Sequence, residues 1–392
     1  MSPAEVTLRE LLRTVAEKHY HDEYELKIKS FHSGGANYTS ELFSVTLTSK
    51  DKEDLRLFAK VAIVGDRMRE LMNATKMFAI EGFFYNELVK TYEDLQDKHG
   101  VVGDDRCEIP KFYGCNSKIG EETVVLEDLA ARGYYGYNRH KSLDWYHASS
   151  AIEELAKFHA LSFAYQNERP EEFDRVMKYL WFTKPNSDEA VKDAYFPKLI
   201  SQALKHIANE NHRERVMKFM EIDGAEMYER FNRPFGHPVL IHGDYRTSNL
   251  FFKKKGEKLH TIPVDFQTVH TGCVVSDFIY FIFVGSDSSF RQEHLQTLIE
   301  LYYETLCVSM KRLGVDCAEV YPRKEFDREL KEVLPYAVFL GIALLPVVLV
   351  EAENAPRVDG DSDVDNFLLA PNDLYVERFR GIVEDCIKLG AI

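Results

Sequence analysis

Three oxygen-bearing side chains near the middle of the chain have the types and the spacing that phosphoryl transfer requires. His242-Gly243-Asp244 follows an apolar, strand-like run, and Asn249 stands five residues after Asp244. Asp265 ends a second apolar run, in the segment TIPVDFQ. Phosphoryl transfer needs a carboxylate that orients the attacking hydroxyl group and oxygen ligands that hold Mg²⁺ against the phosphates. The pattern therefore predicts a base at Asp244 and magnesium ligands at Asn249 and Asp265.

Each of these residues also has an ordinary structural explanation. An aspartate after glycine is usually a turn residue or a helix cap, and a single asparagine usually has the same role. Here the order favours chemistry, because the spacing from Asp244 to Asn249 equals that of the protein-kinase catalytic loop. Asp277, in the apolar segment VVSDFIYFIF, is predicted to support this loop, since a buried acid needs partners.

The segment SGGANYTS lies between two strand-like runs near the amino terminus and predicts a phosphate-binding turn. Glycine permits positive φ and lets backbone N–H groups approach a phosphate. The residues of this turn predicted to contact a nucleotide are Gly34, Gly35 and Asn37. A Gly-Gly pair in a hairpin turn is structural more often than not, and the segment does not match G-x-G-x-x-G. The prediction therefore depends on the residues that follow.

Lys60 follows on the next strand-like run, LRLFAKVAI, on the face opposite its apolar row, which is predicted to run from Leu55 to Ile63. There its ammonium group could meet phosphate oxygens, and an exposed strand lysine is the alternative. The helix-like segment that starts near Met72 carries two candidate partners for this lysine, Glu81 and Glu87. Either glutamate could lie on a solvated helix face, so these residues alone leave the choice open.

Glu127 and Leu129 belong to the run VVLEDL, which closes an apolar strand ahead of a connecting segment. Backbone carbonyl and N–H groups in such a connector could hydrogen-bond the edge of an adenine ring. The side chains of Glu127 and Asp128 have a plainer alternative as caps of the connector. The sequence predicts that the backbone, and not these side chains, contacts the nucleotide.

These residues need a scaffold that brings distant parts of the chain together. Apolar periodicity predicts a helix at residues 5–18, three antiparallel strands, one long helix from near Met72 and two further strands. From Leu143 onward the pattern is mainly helical. The predicted fold class is α+β with two lobes. Residues 1–129 would form a small nucleotide-binding lobe with an antiparallel sheet and one key helix, and residues 130–392 a large, mainly helical catalytic and substrate-binding lobe.

The composition excludes several classes of protein. Hydrophobic residues make up 45% of the 392 residues, which is too many for an intrinsically disordered protein. The formal net charge of −15 would repel a nucleic-acid backbone or an anionic membrane surface. The uncharged segment from Val333 to Val350 is interrupted by Pro335 and Pro346, so it predicts buried core helices and no membrane span.

The cysteines and the amino-terminal segment predict a cytoplasmic protein with reduced thiols. The six cysteines include no C-x-x-C pair and no cysteine-histidine grouping at zinc spacing. The segment MSPAEVTLRELL lacks the apolar core of a cleaved secretion signal. No obligate protein partner is predicted from the sequence.

The short distance between Asp265 and Asp277 indicates the size of the acceptor. The segment DFQTVHTGCVVSD leaves no room for a long activation loop and contains no A-P-E-like sequence. A folded protein substrate would need a docking platform at this place. A small hydroxyl compound is therefore the predicted acceptor.

Several segments, taken in sequence order, resemble the ecdysteroid kinase-like family, within the choline kinase and aminoglycoside phosphotransferase superfamily. They are SGGANYTS, LFAKV, FAIEGFFY, VVLEDL, HGDYRTSNLFF, VDFQ and SDFIYF, between about residue 33 and residue 283. H-G-D-x-x-x-x-N with D-F-Q is specific for the superfamily, and E-D-L with F-x-x-E-x-x-F-Y is specific for the family. The resemblance implies a two-lobed protein-kinase-like fold that uses ATP and Mg²⁺.

The resemblance also implies roles for individual residues, by their matching positions. Asp244 would be the base, and Asn249 and Asp265 would be the metal ligands. The remaining roles are phosphate binding by Lys60 with its partner Glu81, and adenine contact by Glu127 and Leu129. The resemblance thereby favours Glu81 over Glu87. Many relatives have a tryptophan two residues after the aspartate, where this chain has Arg246. This departure concerns the shape of the substrate site and leaves the base and the metal ligands unchanged.

The function implied is ATP-dependent phosphorylation of an ecdysteroid hydroxyl group. Aromatic residues in GYYGYNRH, LDWYHASS and KYLWF are candidate walls for such an acceptor. One alternative is a kinase of another small hydroxyl compound, such as choline, ethanolamine or a xenobiotic; a choline site would need aromatic and anionic caging. A second alternative is a non-catalytic nucleotide-binding scaffold, which the presence of the lysine, the base and the metal ligands disfavours.

Overall fold

The structure of the protein is a computed structural model. It describes residues 2–20, 23–31, 39–50, 52–181, 189–221, 224–356, 358, 362 and 364–392. The predicted glycine turn, with Gly34, Gly35 and Asn37, lies outside the described residues. The nucleotide contacts of this turn therefore stay a prediction.

A five-stranded antiparallel sheet forms the first part of the fold, and helix α1 (Pro3–His19) packs on it. The strands are β1 (Tyr24–Phe31), β2 (Ser40–Ser49), β3 (Lys52–Ala62), β4 (Phe112–Asn116) and β5 (Thr123–Glu127), in the spatial order β1-β2-β3-β5-β4. Leu8 and Leu12 of α1 are fully buried in one cluster with Leu57 and Ala59 of β3. This apolar contact anchors the strand that carries Lys60.

Strand β3 lies in the middle of the sheet, where Lys60 is paired with Leu42 of β2 and Val124 of β5. Alternate residues from Leu55 to Val61 are buried, as the sequence predicts. Ile63 is predicted to lie on the same face, but it follows the end of β3 and is 41% exposed. The alternation of faces applies only while the backbone remains a strand.

The connection between β3 and β4 contains the helices α2 (Asp66–Met72), α3 (Ala74–Phe83) and α4 (Val89–Lys98). The sequence predicts one long helix from near Met72, and the structure differs at two points. Asn73 has a φ of 54° and separates α2 from α3, a left-handed conformation that asparagine adopts more readily than most residues. Phe84–Leu88 form a π-helical turn between α3 and α4, which rotates the later residues around the helix axis.

The second part of the fold is mainly helical. Its helices are α5 (Trp145–Glu168), α6 (Pro170–Tyr179), α7 (Glu189–Leu204), α8 (Glu210–Phe219), α9 (Gly224–Asn232), α10 (Val274–Gly285), α11 (Ser288–Arg312), α12 (Cys317–Val320), α13 (Arg323–Val333), α14 (Tyr336–Ala343), α15 (Leu345–Val348) and α16 (Asp373–Lys388). Every residue of α10 is buried, and the helix contacts α5, α13 and α14. It forms the centre of this lobe.

Two small sheets pack against helices of this part, with contacts to α5, α6 and α10. Their strands are β6 (Tyr135–Gly136), β7 (Val239–Ile241), β8 (Leu250–Lys255), β9 (Lys258–Pro263) and β10 (His270–Gly272). β6, β8 and β9 pair in the order β6-β8-β9, and β7 pairs with β10. The loops that follow β7 and β9 contain the residues with predicted chemistry.

The uncharged segment from Val333 to Val350 forms the end of α13 and the short helices α14 and α15, whose side chains are mostly buried. Over the part of the protein that the structure describes, no helix is long and apolar enough to cross a membrane. The α+β, two-lobed fold predicted from the sequence is confirmed. The boundary between the lobes after residue 129 stays a prediction.

The thiol prediction is wrong for one pair of cysteines. Cys307 and Cys317 form a disulfide bond, with their Cα atoms 5.1 Å apart. The backbone turns back between the end of α11 and the start of α12, which brings these two residues together. Sequence spacing alone does not show this turn. The free cysteines of the described residues are Cys107, Cys115, Cys273 and Cys386.

Candidate active site

The predicted base lies on a loop that a short buried strand holds in place. β7 is buried along its whole length and ends just before His242-Gly243-Asp244. Gly243 has a φ of 78°, and a Cβ atom there would stand 2.4 Å from the backbone oxygen of Thr268. A side chain at this position would therefore collide with the segment that follows Asp265. The glycine allows the two predicted catalytic segments to lie side by side.

Asp244 accepts hydrogen bonds from three side chains. The Nδ2 atom of Asn249 lies 2.9 Å from Oδ2 of Asp244, and the Nε atom of Arg246 lies 3.0 Å from Oδ1. The hydroxyl group of Tyr280 also donates to Oδ1. Asn249 reaches Asp244 because Thr247–Asn249 form a 3₁₀ turn. Together these donors hold the carboxylate in one orientation, as a positioned general base requires.

Sequence reasoning missed two of these donors. Tyr280 stands three residues after Asp277 on α10, so the two side chains share one face of a helix that packs under the loop. That spacing was a usable signal for Tyr280. In the sequence pattern Arg246 is only a departure from the family. Its contact with Asp244 depends on the conformation of the loop, which the sequence does not specify.

Asp277 supports the loop from below, in the role the sequence predicts. Its Oδ2 atom accepts the backbone N–H of His242 at 2.7 Å, and its Oδ1 atom accepts that of Gly243 at 2.9 Å. The Nε2 atom of His159 lies 3.2 Å from Oδ2. Asp277 is only 1% exposed. Burial opposes its charged form, but the hydrogen bond from His159 and the nearby donors keep the pKa of Asp277 below its usual value.

Replacing Asp277 with alanine is expected to lower the free energy of unfolding by about 3–5 kcal/mol, because buried N–H groups lose their charged acceptor. Urea denaturation at neutral pH measures this loss. The matched control is Asp287→Ala, which removes the cap that accepts the N–H of Phe290 at 2.8 Å and should cost about 1 kcal/mol. Equal losses in the two variants would contradict the supporting role of Asp277.

The lowered pKa of Asp277 predicts that the stability of the protein depends on pH. Because the pKa of Asp277 is lower in the folded protein than in the unfolded state, its contribution to stability is present above a pH of about 4. The contribution is lost as the pH falls through the lowered pKa. The stability difference between the wild type and Asp277→Ala should therefore narrow in acid.

Lys60 joins the two lobes at the other side of the loop. Its Nζ atom lies 2.7 Å from Oε2 of Glu81 on α3 and 2.7 Å from Oδ1 of Asp265, which is 205 residues further along the sequence. Lys60 is 8% exposed, so it is not the exposed strand lysine that was the alternative. Glu87, the other candidate partner, lies in the π-helical turn and lines a separate cavity beside Cys115.

Burial and neighbouring charges set the protonation of these three residues. Burial raises the pKa of Glu81 to about 7, although the ammonium group of Lys60 acts in the opposite direction. Burial also disfavours the charged forms of Lys60 and Asp265. Mutual attraction is stronger, so the pKa of Lys60 is raised and the pKa of Asp265 is lowered. Lys60 and Asp265 are therefore a charged pair at neutral pH.

The backbone around Asp265 aims its carboxylate at the cleft. Asp265 has a φ of 69°, in the left-handed region, and a 3₁₀ turn follows it. The ring of Phe266 stacks on Phe84, with centroids 3.8 Å apart, and this contact joins the turn to the π-helical segment. The N–H of Val264 donates to the backbone oxygen of Asn249 at 2.9 Å. The two predicted metal ligands thus lie on adjacent, directly bonded segments.

Asn249 and Asp265 fit the chemistry of Mg²⁺, which binds oxygen ligands. Within the described ranges no group of three or more His, Cys, Asp or Glu side chains is placed to hold a metal ion by itself. Mg²⁺ is usually held by one or two carboxylates together with substrate phosphates and water. A pair of protein ligands beside Lys60 therefore matches an ion that arrives with a nucleotide.

A cavity of about 620 Å³ opens between the lobes. Leu42 and Leu126 contribute apolar wall on the side of the sheet, and Phe251 contributes on the side of the second lobe. The charged end is lined by Lys60, Glu81, Asn249 and Asp265. The segments Gly136–His140 and Glu351–Glu353 line the rim. The cavity is thus an apolar chamber that leads to one ammonium group and two carboxylates. Binding of a nucleotide in it stays a prediction.

The connector after β5 lines the same cavity, through Glu127 and Leu129. The side chain of Glu127 accepts the N–H of Lys111 and a bond from Arg132, each at 2.9 Å, so it has the capping role that was the plainer alternative. The N–H of Glu127 donates to the backbone oxygen of Lys111. Adenine binding would thus fall to other backbone groups, such as the N–H of Leu129, and stays a prediction.

The fold and the site together define the class of protein. A strand lysine that pairs with a helix glutamate and an aspartate of the second lobe, beside a His-Gly-Asp loop, is the arrangement of protein-kinase-like phosphotransferases. The sequence model of the ecdysteroid kinase-like family matches residues 34–315. The chain belongs to the ecdysteroid kinase-like family. It is a small-molecule kinase, a phosphotransferase that acts on hydroxyl groups.

Two solved structures are similar to this protein at low identity. A microcompartment-associated aminopropanol kinase has 12% identity and a TM-score of 0.42, over 97% of this chain and 98% of the other. An aminoglycoside-3'-phosphotransferase of type VIII has 13% identity and a TM-score of 0.31, over 96% and 98%. The comparison with curated protein sequences gave no match.

Proposed function

We propose that this protein transfers the γ-phosphate of ATP, bound with Mg²⁺, to a hydroxyl group of an ecdysteroid. The observation that carries the proposal is the meeting of two distant segments in one cleft. Lys60, paired with Asp265, comes from the sheet, and Asn249, bonded to the predicted base Asp244, comes from the second lobe. This is the set of groups that phosphoryl transfer needs.

The choice of an ecdysteroid as acceptor follows the description of the family. A polyhydroxylated sterol would need apolar walls with a few well-placed polar groups. The lining of the cleft offers such a mixture, since it includes Tyr137, Arg139, His140, Glu351 and Glu353. Oε2 of Glu351 lies 3.9 Å from Nδ1 of His140. These residues support the proposal as candidate contacts for the acceptor.

In this proposal each residue of the site has a defined task. Asp244 orients the hydroxyl group of the acceptor and takes its proton as the new bond forms. Lys60 contacts phosphate oxygens, and Glu81 holds the lysine in place. Asn249 and Asp265 are the residues that would hold Mg²⁺. When bound, the ion neutralises charge on the phosphate oxygens.

The proposal includes a cytoplasmic location, where ATP is available. The disulfide bond between Cys307 and Cys317 is unusual for that compartment, where most thiols are reduced. Neither of these cysteines lines the cleft. Catalysis is therefore expected to be the same with the pair reduced or oxidised, which an assay with and without dithiothreitol checks.

The test is mass spectrometry of products after incubation of the protein with Mg²⁺ and ATP. The acceptors are a panel of ecdysteroids, choline, ethanolamine and hydroxylated xenobiotics, each in a separate reaction. Asp244→Asn serves as the inactive control. A phosphate gained by an ecdysteroid, at higher kcat/KM than by the other compounds, is the expected result.

Other outcomes have defined meanings. Phosphorylation of choline, ethanolamine or a xenobiotic alone would keep the kinase and refute the ecdysteroid as its acceptor. ATP binding without transfer to any compound would favour the non-catalytic scaffold. Hydrolysis of ATP in the absence of an acceptor would show that the phosphate-binding half of the site works.

A further inference from the structure

We propose that Arg246 is a catalytic residue that binds the phosphoryl group during its transfer from ATP to the acceptor. This inference rests on the proposed kinase function and extends it to a residue outside the predicted set. Arg246 takes the place where the family resemblance leads one to expect a tryptophan. In the sequence it stands between the base Asp244 and the metal ligand Asn249.

Arg246 is held beside the predicted base in a buried position. It is 8% exposed, and its Nε atom lies 3.0 Å from Oδ1 and 3.2 Å from Oδ2 of Asp244. Its backbone oxygen accepts the N–H of Asn249 at 2.8 Å, so the residue is part of the turn that positions a metal ligand. An arginine is rarely buried unless it is paired, and the partner here is the predicted base.

The turn that carries Arg246 contacts both sides of the reaction centre. On the acceptor side Arg246 is paired with Asp244. On the nucleotide side the N–H of Asn249 donates to the backbone oxygen of Arg246, and the N–H of Val264, next to Asp265, donates to the backbone oxygen of Asn249. The transferred phosphorus must pass between the metal ligands and the base. A guanidinium group that is bonded to the base, in the turn that joins the base to a metal ligand, is therefore close to that path.

The contact with Asp244 is made through the Nε atom of Arg246. A guanidinium group has five N–H donors and can serve a carboxylate and a phosphoryl group together.

The role of Asp244 alone does not explain this arginine. Asn249 and Tyr280 also donate to Asp244, so the carboxylate already has two neutral donors that orient it. Phosphoryl transfer passes through a loose transition state in which charge spreads over three oxygens, so stabilisation of that charge matters more than basicity. A buried arginine next to the base is therefore useful if it binds the moving group.

The chemical step balances without any change in Arg246. The bond between the γ-phosphorus and the bridging oxygen of ATP breaks, and ADP leaves with that electron pair. A new bond forms between the phosphorus and the acceptor oxygen, whose proton goes to Asp244. Arg246 stays protonated throughout and contributes only hydrogen bonds and charge.

The test compares Arg246→Gln and Arg246→Lys with Tyr280→Phe, a matched control that removes a different donor to Asp244 without removing a charge. Two quantities are measured in each protein. The first is kcat with the best acceptor of the panel, together with KM for ATP. The second is the rise in Tm that aluminium fluoride, a mimic of the transferred phosphoryl group, adds to that caused by Mg²⁺ and ADP.

We expect Arg246→Gln to lower kcat by about a thousandfold, the lower end of the effect of arginines that contact the transferred group, and to leave KM for ATP nearly unchanged. Its additional Tm rise with aluminium fluoride should disappear. Arg246→Lys should recover part of kcat and part of the Tm rise, because it keeps the positive charge. The recovery should be incomplete, because lysine lacks the planar guanidinium group. Tyr280→Phe should keep the Tm rise, since Asp244 is not needed to bind aluminium fluoride.

A full Tm rise in Arg246→Gln, or no rise in the wild type, would overturn the proposal and leave Arg246 as a residue that only positions Asp244. The Tm measurement needs no acceptor, so it distinguishes the role of Arg246 from the choice of acceptor. A wild-type protein that gains stability from aluminium fluoride but phosphorylates no compound of the panel would contradict the proposed acceptor and not the role of Arg246. The Tm of each variant without ligand verifies that the variant is folded. If Arg246→Gln does not fold, the Tm rise of Arg246→Lys with aluminium fluoride tests the proposal.

Discussion

Replacing Asp244 with asparagine is expected to lower kcat by about a thousandfold, within the range that a positioned general base contributes. The amide cannot take the proton of the acceptor hydroxyl group. Its NH₂ group would also face the donors of Arg246, Asn249 and Tyr280, so the side chain would lose its single orientation. Steady-state kinetics with the best acceptor of the panel measures the loss.

Binding of the nucleotide should survive this change, because Asp244 is not among the residues that line the nucleotide cavity. Titration calorimetry with Mg²⁺ and ADP is expected to give nearly the wild-type Kd. The matched control is Asp94→Asn, an exposed aspartate of α4 with a long 3.6 Å contact to Arg169, which should leave kcat unchanged. Near-normal turnover of Asp244→Asn would refute its role as the base.

The second large effect is expected for Asp265→Asn, in which nucleotide binding should lose its dependence on Mg²⁺. In the wild type, Mg²⁺ should strengthen ADP binding. At an ADP concentration of a hundred times the Kd, the bound ligand would add about 2.7 kcal/mol to the free energy of unfolding. Without the carboxylate the ion loses its charged protein ligand. We expect kcat/KM for ATP to fall by at least about a hundredfold, as metal-assisted charge stabilisation is lost.

Asparagine is the informative substitution at this position because the backbone has a φ of 69°. Asparagine tolerates the left-handed conformation, whereas alanine would add strain of about 1–2 kcal/mol. Calorimetry with ADP in Mg²⁺ and in EDTA separates the metal from the nucleotide. Glu81→Gln is the comparison, since it removes the other partner of Lys60 but no metal ligand. A Kd for ADP that still improves with Mg²⁺ in Asp265→Asn would contradict the metal role.

The choice between Glu81 and Glu87 illustrates the limit of periodicity. Both glutamates are on one helical segment in the sequence pattern, and only the resemblance to a family favoured Glu81. In the structure Glu81 is in the last turn of α3, and Glu87 lies beyond the start of the π-helical turn. A π turn changes which residues face the sheet. Its position depends on packing, such as the stacking of Phe84 on Phe266, which periodicity does not encode.

The sequence by itself determined the parts of this protein that depend on neighbouring residues. The strand that holds Lys60, the five-residue spacing from Asp244 to Asn249 and the burial of Asp277 within an apolar helix all follow from local pattern. Local patterns are readable because strand alternation and tight turns restrict which nearby side chains can meet.

Only the tertiary structure decided which distant groups meet. It placed Lys60 against Asp265 and Tyr280 against Asp244, and it joined Cys307 to Cys317. Such contacts depend on how the sheet and the helices pack, because a difference of an ångström in packing decides whether charged groups form a hydrogen bond. The spacing of residues within one segment does not predict the distance between side chains of two different segments.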